Sequence, residues 1–181
     1  MTKFEIILRN NKLQQYQSMA VFIILLNITV FIVRSVYEKE HYARNLALSG
    51  AVLAGILLIA SFIFRKKKKQ VQQLHLLSLL VISVTWAMAG IIPAFLLSLL
   101  LMMMYAVSQR KLLVGVDKTA VLYPSFPKRT IEWSELNNLV LKDGLLTIDF
   151  KNDKILQAEI IDSSARWDEQ EFNNFCREQL R

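Results

Sequence analysis

The sequence predicts an α+β membrane protein: four transmembrane helices in two hairpins, then a small antiparallel β-sheet, a partial barrel, closed by a C-terminal helix. Three observations predict it. The first is a set of long apolar stretches without charge inside them, among them Asn45–Phe64 and Leu74–Val107, which read as membrane spans. The second is Arg65-Lys66-Lys67-Lys68-Lys69, five consecutive cations between those stretches, which reads as a cytoplasmic loop. The third is a change of pattern at Leu112, where long apolar runs give way to short alternating ones.

Composition agrees. The chain has 181 residues, 54% of them hydrophobic, and a formal net charge of +7. That length allows a small membrane domain and one small soluble module. From Leu112 onward there are nine Lys/Arg and twelve Asp/Glu, a net of −3, while the preceding part carries +10. The basicity belongs to the membrane part, where lipid headgroups explain it, so no nucleic-acid partner is expected. One cysteine, Cys176, excludes an internal disulfide framework and any multi-cysteine metal site.

Residues 1–18 form a polar, basic cytoplasmic segment. Within it Phe4, Ile6 and Leu8 alternate as in a strand, whereas Phe4, Ile7 and Leu8 suit one helical face. A cleavable signal peptide is not expected, because the apolar segment starts late and has span length. Residues 19–111 form the membrane domain. Its first span is Met19–Val36, with Asn27 and Thr29 inside it and Arg34 near its far end. Arg34 is expected to snorkel to the interface and Asn27 to bond a neighbouring helix. Tyr37–Arg44 is a short outer loop; His41 stands alone there and is not expected to hold a metal.

In the second span, Asn45–Phe64, small residues repeat: Gly50 with Ala54, Ala51 with Gly55, and Ala47 extending the stripe. Such spacing lets helix backbones approach, by default within the chain and alternatively in a homo-oligomer. Leu74–Val107 would reach roughly 51 Å as one helix, well beyond a bilayer core of about 30 Å. It is expected to fold back at Gly90-Ile91-Ile92-Pro93, with Trp86 near the outer turn. Met102-Met103-Met104 reads as adaptable packing. Lys3, Arg9, Lys12, the Arg65–Lys69 loop, Arg110 and Lys111 then share one side, opposed by Arg34, Lys39 and Arg44. Both termini are expected to be cytoplasmic and the protein multi-pass in the inner membrane. The spans are read as carrying no Asp, Glu, Lys or His deep in the apolar core, which disfavours transport.

Residues 112–181 form the cytoplasmic module. Leu112–Val116 and Ala120–Tyr123 flank the turn Asp117-Lys118-Thr119. Lys128–Trp133 alternates after the break at Pro124–Pro127. Asn137–Lys142 and Leu145–Lys151 flank Asp143-Gly144, the strongest hairpin signal, with Leu146, Ile148 and Phe150 on one face. Asn152-Asp153 turns the chain into Lys154–Ile161. A helix follows, with Asp168 and Glu171 as a capping box, Trp167 and Phe172 as a staple, and Phe172, Phe175 and Leu180 as its apolar face. Cys176 borders that face as a half-buried thiol without an activating His nearby in sequence.

The stretches VGVDKTAVLY, RTIEWSELNNLVLKDGLLTIDF and WDEQEFNNFCREQL together resemble a bacterial pleckstrin-homology-like (PH-like) domain attached to membrane hairpins. The resemblance covers about 70 residues and implies a full seven-stranded barrel, of which this stretch looks one strand short: either the fold is truncated or another segment completes it. Lys3–Arg9, on the same side of the membrane, is available to pair with the sheet. The family would imply phosphoinositide binding, but the module is net acidic, and Arg65, Lys66, Lys67, Lys68 and Lys69 are the better anionic-lipid contact, with topology determination as their ordinary role. No nucleophile–base pair, metal-ligand spacing or phosphate-binding glycine loop appears, so neither catalysis nor a cofactor is expected. The expectation is a non-enzymatic membrane protein whose PH-like module docks a cytoplasmic protein or sits against its own membrane domain; the alternative is a small oligomeric transporter or channel subunit, with Asn27, Thr29, Ser83 or Thr85 lining a path.

Overall fold

The alternation of Phe4, Ile6 and Leu8 resolves as a strand. In the computed structural model, which describes residues 3–161 and 168–180, β1 (Phe4–Leu8) lies antiparallel to β2 (Leu112–Val116), with Phe4 opposite Val116 and Leu8 opposite Leu112. The chain therefore divides otherwise than its order suggests. One compact unit combines Met1–Asn11 with Lys111–Arg181, and the other is Lys12–Arg110. Within residues 1–18, the strand expected of Lys3–Arg9 is Phe4–Leu8, and the residues from Leu13 onward belong to a helix.

The sheet unit has two small antiparallel sheets. In the first, β1 and β2 are followed by β3 (Ala120–Tyr123) and β4 (Arg129–Glu132), in the order β1-β2-β3-β4. In the second, β5 (Leu136–Lys142), β6 (Leu145–Phe150) and β7 (Ile155–Glu159) lie in sequence order. They do not close into a barrel; among the described residues, a bridge from Leu8 to Ile160 links them at one corner. Each turn has a local cause. Asp117 Oδ1 accepts from the Thr119 N–H (2.7 Å), the Thr119 hydroxyl (2.7 Å) and the Ala120 N–H (2.9 Å), the Asx geometry that makes aspartate a turn former. Asp143 and Gly144 both take positive φ, 51° and 74°, as a two-residue hairpin turn requires.

Leu146, Ile148 and Phe150 face the interior, where they meet Phe4, Ile6, Val114, Leu139 and Leu141. Helix α5 (Glu169–Gln179) adds Phe172 and Phe175. Phe4 packs edge-on against Phe172, with ring centres 5.4 Å apart, and lies 5.2 Å from Phe175. Cys176 is fully buried rather than at the border of this face. Asp168 occupies the N-cap position, but its side chain makes no capping bond; Glu169 instead reaches the Gly144 N–H at 3.3 Å. Asn173 fastens the helix to β5, accepting from the Leu141 N–H (2.9 Å) and donating to the Leu141 carbonyl (2.7 Å). The expected staple residue Trp167 lies outside the described residues.

The helical unit contains α1 (Leu13–Tyr37), α2 (His41–Ile63), α3 (Lys68–Met88) and α4 (Ile92–Ser108). The first three are long and apolar enough to cross a membrane. The fourth has 17 residues and falls short of that length, so four transmembrane helices are not supported. The break explains the shortening: Gly90 turns the chain at a φ of 72° and Pro93 opens α4, a position where its missing N–H costs nothing. α1 starts earlier than the apolar run, because Gln14, Gln15 and Gln17 include no helix breaker.

What this unit buries also fits a membrane. Its interior is small: Ala20, Ala47, Ala51 and Ala54 are buried beside Ile24, Phe31 and Ile82. Among the described residues, the buried polar side chains Ser35, Ser61, His75, Ser78, Ser83, Thr85 and Ser98 all lie here. Large apolar side chains such as Phe22, Ile59, Phe62 and Leu97 point outward, the arrangement expected where the surroundings are themselves apolar.

Candidate functional site

Helix geometry brings His75 of α3 between α2 and α4. Its Nδ1 lies 3.1 Å from the Tyr105 hydroxyl and its Nε2 lies 3.1 Å from Ser61 Oγ. Ser61 already gives its proton to the Leu58 carbonyl at 2.7 Å. Ser61 Oγ therefore accepts, Nε2 carries the ring proton, and Nδ1 accepts from Tyr105. A neutral imidazole satisfies all three groups. His75 is 3% exposed, so the reading that left the spans without an internal histidine is corrected: α3 starts at Lys68 and places His75 two turns inside a buried face.

Ser61 and His75 also bound a cavity of about 350 Å³. Gln14, Gln17, Ser18 and Val21 of α1 form one wall; Phe62 and Arg65, and Lys68 and Val71, supply the others. No carboxylate lines it. Of the five cations read as a lipid contact, only Arg65 and Lys68 line this cavity; Lys66, Lys67 and Lys69 do not. Lys67 instead places its ammonium 5.9 Å from the Phe64 ring centre. Among the described residues, none of the five forms an ion pair with a carboxylate.

The small residues of α2 separate by position. Ala47, Gly50, Ala51 and Ala54 are buried. A Cβ on Gly50 would fall 2.6 Å from Thr85 Oγ1 of α3, while one on Gly55 would meet nothing within 4 Å. Gly50 therefore serves packing within the chain. The polar residues considered for a path are engaged locally: Thr29 bonds the Leu25 carbonyl, Ser83 that of Leu79, and Thr85 that of Val81, as hydroxyls in helices often do. Asn27 donates to the Ile23 carbonyl and accepts from Trp86 Nε1 at 2.9 Å. Trp86 is thus an interhelical partner, and Arg34 sits over its ring at 6.0 Å while pairing with Glu38 at 3.5 Å.

In the sheet unit, burial pushes the Cys176 thiol up to about 12, which keeps it from ionising near neutral pH. Arg44 lies 2.9 Å from His41 Nδ1, and no group of three metal-ligating side chains occurs among the described residues. Sequence reasoning missed the His75–Ser61–Tyr105 cluster, whose members are 14 and 30 residues apart. The one available signal was a histidine inside an apolar run. Comparison with protein-family models, with curated proteins and with solved structures gives no match for this chain.

Proposed function

We propose that this protein is a non-enzymatic integral membrane protein whose sheet unit is a PH-like interaction module held at the cytoplasmic face. The observation that carries the reading is the pairing of β1 with β2 across the whole helical unit. A four-stranded sheet, a three-stranded sheet and a C-terminal helix support the PH-like reading, with β1 supplying a seventh strand. The helical unit is then an insertion between the first two strands of one soluble fold.

The same pairing supports a topology. Both ends of the helical unit lead into one sheet, which favours an even number of crossings. With α1, α2 and α3 as crossings, α4 is the fourth and shortest. Its 17 residues reach about 26 Å, at the low end of spanning lengths, where local thinning of the bilayer suffices. The cations Lys3, Arg9, Lys12, Arg65–Lys69, Arg110 and Lys111 then share the cytoplasmic side.

The module docks a cytoplasmic protein through its water-facing surface, where Ile155 of β7 is 61% exposed on a strand at a sheet edge. The test is in-cell photocrosslinking of the full chain from Ile155, with Leu97 of α4 as the lipid-facing control. One defined protein captured from Ile155 and not from Leu97 is the expected result. Capture of only other copies of the chain, from Leu97 alone, would overturn docking and favour the oligomeric transport reading.

A further inference from the structure

We propose that the cavity between α1, α2 and α3 is a binding site for a phosphate group, carried on the headgroup of an anionic phospholipid. The proposal rests on the membrane placement of these helices and goes beyond a diffuse attraction of the basic loop to lipid.

Four observations carry it. The lining brings two cations, Arg65 and Lys68, together with the polar residues Gln14, Gln17 and Ser18, and no carboxylate is among the lining residues. A phosphate offers several acceptor oxygens, and a planar guanidinium beside an ammonium is the pair of cations suited to them. Second, Arg65 and Lys68 have no carboxylate partner among the described residues, so their charge is available to a ligand. Third, α3 begins at Lys68 without an acid in its first turn, and its cap residue Lys67 makes no side-chain bond. Cations crowd the end of a helix whose dipole favours an anion. An anion between them relieves both terms.

Fourth, the polarity is graded. Gln14, Arg65 and Lys68 lie at the end of the helices, whereas Val21 and His75 lie seven residues further in, about 10 Å along a helix. Val21, Phe62 and Val71 make the apolar side. An amphiphile with an anionic head presents the same sequence of chemistry, and basic pockets between membrane helices on the cytoplasmic side bind such heads. The volume of about 350 Å³ exceeds that of a bare ion and suits a small organic headgroup. Topology determination engages all five cations alike and leaves unexplained why two of them line a cavity with no carboxylate among its lining residues.

The test uses the full chain in detergent, with phosphatidylglycerol titrated in and bound lipid counted by native mass spectrometry. Phosphatidylcholine and inorganic phosphate are the comparison ligands. The decisive variants lose equal charge: Arg65→Gln/Lys68→Gln removes the lining cations, and Lys66→Gln/Lys69→Gln removes two that do not line the cavity. One retained phosphatidylglycerol is expected, weakened about tenfold or more by the first pair and within about twofold of the parent in the second. Displacement of the lipid by millimolar inorganic phosphate would assign the site to a soluble phosphate rather than a lipid and overturn that part of the proposal. Equal weakening by both pairs, or equal retention of phosphatidylcholine, would overturn the site altogether. Alkaline carbonate extraction of the same membranes reads membrane placement separately: release of the parent chain would sink that reading whatever the lipid count.

Discussion

Inside the sheet unit, Phe4, Phe172 and Phe175 meet ring to ring among leucines, isoleucines and valines. Inside the helical unit, alanines, serines, a threonine and a histidine are buried beside a few large side chains such as Ile24, Phe31, Leu79 and Ile82, and many other large apolar side chains face outward. The difference teaches which force holds each unit. Water drives large apolar groups into the sheet unit, so burial area carries its stability. In lipid that drive is absent, and close backbone approach with modest hydrogen bonds takes its place.

The comparison breaks first at Phe4. Phe4→Ala is expected to destabilise the sheet unit by about 3–5 kcal/mol, read as faster hydrogen exchange in β6 of the full chain. An unchanged rate would mean that β1 does not belong to this core. Gly50→Ala tests the helical unit by adding atoms. It forces a methyl onto Thr85, whose hydroxyl is bonded to Val81, and is expected to cost about 1–3 kcal/mol. Gly55→Ala, with open space around it, should leave stability unchanged or raise it by up to about 1 kcal/mol. Equal effects at the two glycines would show that close approach at Gly50 is not what holds α2 to α3.

His75→Leu sharpens the contrast. Removing two hydrogen bonds from a water-soluble core would be costly, but between membrane helices such bonds average about 0.6 kcal/mol each. A total loss near 1 kcal/mol is expected on that basis, measured by unfolding in micelles; a loss above about 4 kcal/mol would show that this interior behaves like the sheet unit's. The smallest effect belongs to Asp117. The Thr119 hydroxyl, then the Ala120 and Thr119 N–H groups, hold its carboxyl below the ordinary range. Its folded value is depressed, so its contribution is present above the unfolded value and is lost as pH falls through the folded one. Asp117→Asn should flatten the acid limb of sheet-unit stability from about pH 4 downward, weakly, because the group is exposed. An acid limb identical to the parent's would remove Asp117 from that balance.

Local chemistry made much of this legible. Asp143-Gly144 fixes its own hairpin, Leu146, Ile148 and Phe150 show their shared face by alternation, and Gly90 with Pro93 marks the break between α3 and α4. β1 was legible only as one of two periods, until the later sheet supplied a neighbour for it. The cavity was not legible, because its walls come from three helices and sequence gives no phase between them. The basic block read as one feature, yet Arg65 and Lys68 are among the residues that line the cavity and the other three are not. The capping box at Asp168 and Glu171 fits its pattern and is unused, since Glu169 finds the Gly144 N–H and Asp168 makes no side-chain bond.

The pairing of Leu8 with Leu112 also sets an order of assembly on the ribosome. β1 leaves the exit tunnel before β2 and must wait for it while more than a hundred residues are made between them. Its Phe4, Ile6 and Leu8 have no core to enter until β2 has been made and α5 has delivered Phe172 and Phe175. A chain released early would display a bare apolar strand, the kind of surface chaperones and proteases recognise. Completion of the sheet thus doubles as a check that the helices between its first two strands were made in full.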